Sequence, residues 1–106
     1  MLPKLNRLPH SRRIAGGSSF PSPFFLVKYT SNGLGYPRFG IIISKKVDKR
    51  ATIRNRIRRL LHQFIQEHMH EFSVNKDYLF IIHQPFPELS EDIKNSLVSL
   101  IKQSSL

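Results

Sequence analysis

The sequence contains no cysteine and no tryptophan among its 106 residues. The absence of cysteine excludes disulfide bonds, thiolate metal ligands and a cysteine nucleophile, and it fits a reducing compartment. No apolar run approaches the roughly 18 residues of a membrane-spanning helix, and the N-terminus has no signal-peptide pattern. We therefore expect a cytoplasmic protein with no membrane partner, held together by its apolar core alone.

Acidic residues are almost absent from the first part of the chain. Residues 1–62 contain 14 Lys and Arg but a single acid, Asp48, whereas residues 63–106 contain 3 basic and 6 acidic residues. The formal net charge of the whole chain is +10. Because a strong positive field attracts nucleic acid or an anionic membrane, the charge predicts a polyanionic partner that meets the first part of the chain.

The length is that of one compact domain, so we expect a single domain over residues 1–106. Residues 1–19 are predicted to be largely irregular, with at best a short helix between His10 and Ala15. The next segment, PFFLVKYT, alternates as a strand, with Phe25, Val27 and Tyr29 on one face.

Two signals follow in the segment after this strand. The pair Asn32-Gly33 is a strong turn signal, and RFGIIISKK then reads as a second strand, which predicts an antiparallel hairpin over residues 23–46. The run Ile41-Ile42-Ile43 does not alternate, which predicts a central strand covered on both faces.

The remaining chain predicts two amphipathic helices with a strand between them. From about Arg50 to Phe72 the apolar residues have helical spacing: Ile53, Ile57, Leu60, Leu61, Phe64 and Ile65. Asn75 and Asp77 indicate a turn before the strand YLFIIH, and Ser90 is the expected N-cap of a helix with the stripe Ile93, Leu97, Leu100 and Ile101. This alternation predicts an α+β sandwich with helices packed on one small sheet.

The first helix also carries most of the arginines. At about 100° per residue, Asn55, Arg56 and Arg59 lie away from the apolar stripe, while Arg54 and Arg58 flank it. Further basic residues lie where the preceding strand passes into the helix: Lys45, Lys46, Lys49 and Arg50. An exposed helix N-terminus favours phosphate oxygens, and guanidinium groups make bidentate phosphate contacts and stack on bases. This pattern favours RNA or DNA as the partner.

The residues alone leave other function classes open. A nuclease that needs no RNA would require converging carboxylates on metal ions or a His and Lys pair, and the basic part of the chain offers only Asp48. A structural RNA-binding protein of the ribosomal type would share the basic helix. A DNA repressor would expose Asn and Arg toward a groove.

The segment SKKVDKRATIRNRIRR, residues 44–59, resembles the signature of the bacterial ribonuclease P protein subunit. Further segments resemble the same family in the same order: NRL at 6–8, SPFFLV at 22–27, RFGIIISKKV at 38–47, DYLFIIHQP at 77–85 and NSLVSLIKQSSL at 95–106. The resemblance therefore covers most of the chain.

The resemblance implies a two-layer αβββαβα sandwich with a small, mostly antiparallel sheet and a left-handed βαβ crossover, although handedness rules alone favour the right-handed form. It also implies a protein cofactor of a ribozyme endonuclease, in which the RNA subunit with magnesium ions removes the 5′ leader of precursor tRNA. The implied partners are the ribonuclease P RNA and precursor tRNA. No protein partner, catalytic side chain or protein-held metal is expected. The residues expected to contact RNA are Lys45, Lys46, Lys49, Arg50, Arg54, Asn55, Arg56, Arg58 and Arg59.

The chain departs from the family pattern at three places. No aromatic residue lies between Asn6 and Ser19, where the family's first helix usually carries an aromatic pair that walls the leader cleft. On the adjoining strand, Phe20, Phe25 and Lys28 are then the candidates for leader binding. His62 and His83 stand where the family usually has basic residues, so the charge of His62 depends on pH.

Overall fold

The computed structural model describes residues 2–9 and 17–105 and shows the predicted α+β architecture. A mixed sheet of four strands, in the order β1-β2-β4-β3, carries two α-helices. The elements are a 3-10 helix at Lys4–Asn6, β1 at Ser18–Pro21, β2 at Phe25–Ser31, β3 at Arg38–Ile42, α1 at Ala51–Glu67, a 3-10 helix at Met69–Glu71, β4 at Lys76–Ile82 and α2 at Glu91–Ser104.

The predicted hairpin over residues 23–46 is wrong, because β4 lies between β2 and β3. β4 pairs antiparallel with β2, from Phe25↔Ile82 to Ser31↔Lys76. It pairs in parallel with β3, so α1 is the crossover between two neighbouring parallel strands. The strand YLFII is apolar on both faces, so it buries the most apolar surface at the centre of the sheet. This burial outweighs the local turn signal at Asn32-Gly33. The left-handed sense of the crossover stays a prediction.

The antiparallel hairpin that does form joins β1 to β2, with Ser18 opposite Tyr29 and Pro21 opposite Leu26. The side-chain oxygen of Ser22 accepts hydrogen bonds from the backbone N–H groups of Phe24 and Phe25 in the connecting turn. Sequence reasoning missed β1, because a short segment rich in serine and proline carries no apolar alternation.

The expectation for the isoleucine run was also wrong. β3 is an edge strand, and Ile42 is 48% exposed, whereas Ile41 and Ile43 are buried. The alternation of the pleat therefore continues through the run. The run itself could not show this, because all three residues have the same side chain.

Both helices pack on one face of the sheet and form a single core with it. The predicted stripe of α1 is confirmed: Ile57, Leu61, Phe64 and Ile65 are buried, and Ile53 and Leu60 are partly buried against the core. The stripe of α2 is buried at all four predicted positions, and the side chain of Ser90 accepts a hydrogen bond from the backbone N–H of Ile93, as predicted for the N-cap. α1 ends at Glu67, five residues before the predicted end at Phe72, and the 3-10 helix at Met69–Glu71 follows it.

The N-terminal segment lies along the outer edge of β3. The backbone N–H of Leu8 donates to the carbonyl of Phe39 over 2.8 Å, and the side chain of Asn6 donates to the carbonyl of Pro37. Gly40 allows this approach, since a Cβ there would lie 3.3 Å or less from two atoms of Leu8. Leu8 packs with Leu79 in a small second cluster on the face opposite the helices. The short helix predicted at His10–Ala15 lies outside the described residues.

A buried ion pair ties the start of β3 to β4. Asp77 is fully buried and accepts bonds from Arg38 Nε and Nη2, over 2.8 and 2.7 Å, and from the side-chain amide of Asn32 over 2.9 Å. The bond to Asp77 raises the pKa of Arg38, so the guanidinium stays charged. Sequence reasoning placed Asp77 in a turn, because nothing in the local pattern shows that a partner 39 residues away neutralises it.

Replacement of Asp77 by Ala should reduce the free energy of unfolding by about 3 kcal/mol, because it leaves the half-buried Arg38 without its counter-charge. The measurement is urea denaturation followed by circular dichroism. Asp92→Ala is the control, because Asp92 is exposed in the first turn of α2 and its loss should cost about 1 kcal/mol or less. An Asp77→Ala protein as stable as the control would contradict the structural role given to the ion pair.

Candidate nucleic-acid interface

The basic residues of α1 lie where the helical geometry predicted them. Asn55, Arg56 and Arg59 are exposed, while Arg54 and Arg58 are half-buried at the edge of the apolar stripe. The apolar stripe fixes the rotation of the helix on the sheet, so the basic face is turned outward by the same contacts that stabilise the domain.

The turn between β3 and α1 presents the remaining basic residues. Lys45, Lys46, Lys49 and Arg50 are all exposed. Arg50 is the N-cap residue of α1, but its side chain makes no capping bond, and the first turn of the helix contains no acid. At this helix start, the backbone N–H of Arg50 donates to Asp48 and that of Ile53 donates to the carbonyl of Arg50, so the N–H groups of Ala51 and Thr52 are the ones available to an anion.

Three arginines of α1 donate hydrogen bonds to backbone carbonyls of other segments. Arg54 Nη1 donates to the carbonyls of Asp48 and Lys49, over 2.8 and 2.9 Å. Arg56 Nε donates to Pro87 over 2.6 Å, and Arg58 Nη1 donates to Ile41 over 2.8 Å. A guanidinium has five N–H donors, so each side chain is oriented by one or two bonds and has others left for phosphate oxygens.

The single acid of this region is paired with a neighbouring arginine. Asp48 accepts bonds from Arg50 Nε and Nη2 over 3.1 and 2.9 Å, and from the backbone N–H of Arg50 over 2.9 Å. The side-chain bonds from Arg50, and then its backbone N–H, lower the pKa of Asp48 to about 2. The carboxylate is therefore ionised at any physiological pH.

A basic cleft lies between the N-terminal segment, β3 and α1. It has a volume of roughly 220 Å³. Its charged or titratable lining residues are Arg7, Arg58 and His62, and its apolar lining includes Leu8, Ile42 and Leu79. Burial lowers the pKa of His62, and the positive charges of the amino terminus, Arg58 and Arg7 lower it further. His62 is therefore neutral at pH 7 in the free protein.

The cleft is the part of the surface that sequence reasoning missed. A partial signal was present, since His62 follows Arg58 by four residues and so lies on the same face of the helix. Arg7 could not be added, because the contact of the N-terminal segment with β3 is not encoded in any local pattern.

The three residues expected to bind the leader do not lie together. Phe25 is fully buried, which removes it from the candidates, because its ring is covered by the core. Phe20 pairs with Val27 and is partly buried on the same helix-covered face. Lys28 lies on the opposite face, beside Leu79, which lines the basic cleft. Of the three, Lys28 is the residue on the cleft side of the sheet.

The described residues contain neither a cluster of metal ligands nor a helix that could span a membrane. No group of three or more His, Asp or Glu side chains in residues 2–9 and 17–105 is arranged to hold a metal ion. In the same residues, no helix has the length and apolar character needed to cross a membrane.

The arrangement of fold and basic surface matches known proteins. A family model described as ribonuclease P matches residues 2–104. The ribonuclease P protein component of Thermoanaerobacter sp. (strain X514) is 33% identical over 93 residues, which are 87% of this chain and 79% of the relative. That of Fusobacterium nucleatum subsp. nucleatum is 37% identical over 78 residues, which are 74% of this chain and 69% of the relative.

Solved structures agree with the sequence relatives. The RNase P protein from Thermotoga maritima, solved in complex with 1-(4-fluorophenyl)-2-thiourea, has a TM-score of 0.67 and 27% identity, with 82% of this chain and 85% of that chain covered. The Staphylococcus aureus RNase P protein has a TM-score of 0.67 and 30% identity, with 82% and 80% covered. The chain therefore belongs to the ribonuclease P protein family, the protein components of a tRNA-processing endoribonuclease whose other component is the ribonuclease P RNA.

Proposed function

We propose that this protein binds the ribonuclease P RNA through one basic surface formed by the turn after β3 and the outer face of α1. This basic surface consists of Lys45, Lys46, Lys49, Arg50, Arg54, Asn55, Arg56, Arg58 and Arg59. The observation that carries the proposal is the orientation of three of its arginines by backbone carbonyls. Side chains ordered before binding lose less conformational entropy when they meet phosphates.

Replacement of Arg54 and Arg56 by Ala should weaken binding to the ribonuclease P RNA while the domain stays folded, because Arg56 is exposed and Arg54 is half-buried at the edge of the apolar stripe, outside the core. The slope of log affinity against log salt should fall by roughly 0.7–0.9 for each phosphate that the variant no longer neutralises. The measurement is filter binding over a range of salt concentrations, with melting temperature as the check on folding.

The matched control removes two charges from α2, by Lys94→Ala and Lys102→Ala, since both lysines are exposed and lie outside the basic surface. Equal losses of affinity in the two double variants would show that total charge, and not this surface, determines binding.

We further propose that the basic cleft and the sheet face beside it hold the 5′ leader of precursor tRNA. The cleft combines Arg7 and Arg58 with an apolar wall, which suits a strand that presents phosphates on one side and bases on the other. Lys28 extends the positive charge along the open face of the sheet. Single-stranded RNA is recognised through its backbone and its unstacked bases, so a shallow, open surface with basic and apolar side chains is sufficient to bind it.

Leader affinity should rise as the pH falls from 7.5 to 5.5. The neutral His62 lines the cleft together with Arg7 and Arg58, and a leader phosphate bound in the cleft would raise the pKa of His62, so binding takes up a proton. Among the described residues, Arg58 and Arg7 are the charged groups that line the cleft with His62, and β3 and β4 contribute only apolar lining. Affinity should gain up to about tenfold for each unit by which the pKa in the complex exceeds the pKa in the free protein.

The test is titration of the holoenzyme with precursor tRNA and with leaderless tRNA across this pH range. The His62→Gln variant should lose the difference in pH response between the two substrates, whereas His62→Lys should bind leader tightly without pH dependence. An unchanged pH response in His62→Gln would show that another group takes up the proton.

In this proposal the protein side chains bind and orient RNA, and they do not take part in bond cleavage. The described residues of the basic surface and the cleft include no carboxylate, and Asp48, in the turn beside the basic surface, is engaged by Arg50. Magnesium ions held by the RNA subunit would supply the water activation and charge stabilisation that phosphodiester hydrolysis needs. The proposed location is the cytoplasm, where precursor tRNA is processed.

The decisive experiment is cleavage of precursor tRNA by a bacterial ribonuclease P RNA at low magnesium, with and without this protein. The protein should restore cleavage, and more strongly for a leader of several nucleotides than for a leader of one. The protein alone should cut nothing. Restoration that is equal for long and short leaders would remove the leader site but keep the RNA subunit as partner. Tight RNA binding with no restoration of cleavage would favour a structural RNA-binding protein.

A further inference from the structure

Asp48 is the one acid among 14 basic residues in the first 62 positions of the sequence. On charge alone, an acid in the middle of an RNA-binding surface weakens binding. We propose that Asp48 is a positioning residue for RNA binding, because its carboxylate holds the guanidinium of Arg50 in the orientation in which that group meets the RNA. This inference rests on the proposed function of the basic surface.

The pair is asymmetric in its exposure. The Asp48 side chain is 10% exposed, whereas the Arg50 side chain is 72% exposed. Both carboxylate oxygens accept from Arg50, through Nε and Nη2, which is the parallel two-point contact that fixes the plane of a guanidinium. The covered carboxylate therefore lies inside the turn, and the rest of the guanidinium, with three further N–H donors, is presented to solvent.

The backbone of Asp48 is held from a second direction. Its carbonyl accepts from Arg54 Nη1, which also donates to the carbonyl of Lys49. Residues 50 and 54 are four apart and therefore lie on the same side of the helix start. Asp48 thus contacts two arginines of one face, Arg50 through its side chain and Arg54 through its main chain.

Two physical effects of the carboxylate on RNA affinity have opposite signs. Its negative charge repels phosphate, so its removal should tighten binding. Its contact with Arg50 restricts a side chain that otherwise has large rotamer freedom, so its removal should weaken binding. Because both oxygens are engaged by Arg50, the charge is largely compensated locally, and we expect the ordering effect to prevail.

The test compares Asp48→Asn with Asp92→Asn, which changes the net charge by the same amount in the exposed first turn of α2. Both substitutions are made in the wild-type chain and in an Arg50→Gln chain. Affinity for the ribonuclease P RNA is measured at several salt concentrations, and the melting temperature of each protein is recorded. Arg56→Ala is included as a variant of the basic surface that does not contact Asp48, because the Arg56 side chain donates to the carbonyl of Pro87.

Asp48→Asn should weaken RNA binding about threefold although it removes a negative charge, since an ion pair whose arginine is largely exposed contributes little more. Asp92→Asn should leave affinity unchanged or slightly higher. In the Arg50→Gln chain, Asp48→Asn should no longer weaken binding, because the side chain through which it acts is gone. The melting temperature of Asp48→Asn should stay close to that of the wild-type protein.

Three results would overturn the inference. The first is binding by Asp48→Asn as tight as by Asp92→Asn, and the second is an equal loss in the wild-type and Arg50→Gln chains. The third is failure of Asp48→Asn to fold, which would show that the carboxylate serves the fold. If Arg56→Ala leaves affinity unchanged as well, the basic surface itself is wrongly assigned; if Arg56→Ala weakens binding, only the role of Asp48 is rejected.

Discussion

The central position of β4 is the constraint on which the rest of the structure depends. Its apolar residues face both sides of the sheet, and it is hydrogen-bonded to β2 on one side and to β3 on the other. Because β3 and β4 are parallel neighbours, the chain between them must cross over the sheet, and α1 is that crossover. The helix that carries the arginines is therefore tied at both ends to adjacent strands and pressed onto them by its own apolar stripe.

This arrangement also determines how the arginine side chains of α1 are oriented. Arg54 donates hydrogen bonds to carbonyl groups of the turn before the helix, and Arg58 donates to a carbonyl of β3. Arg56 donates to a carbonyl of the loop before α2. These bonds orient the side chains but do not neutralise them. The repulsion therefore remains in the free protein, and phosphate groups of a bound RNA would relieve it.

The elements that followed from the sequence are those governed by local periodicity. The faces of β2, the stripes of α1 and α2, the cap at Ser90 and the outward direction of Arg56 and Arg59 all depend on residues within one or two turns of each other. The family resemblance added the class of fold and the partners; the known relatives and solved structures bear out the fold and the family, and the family implies the ribonuclease P RNA as a partner. Local reasoning failed at the β2–β3 hairpin, where a good turn signal led to the wrong neighbour.

The sequence by itself determined that this chain has one apolar stripe on each helix, a basic first part and a helix whose arginines face solvent. These properties follow from the order of residues and the fixed geometry of helix and strand. Only the tertiary structure decided the strand order, the burial of Asp77 by Arg38, and the cleft in which Arg7 meets Arg58 and His62. Those contacts join residues far apart in sequence, and they form because the burial of β4 on both faces outweighs any local preference.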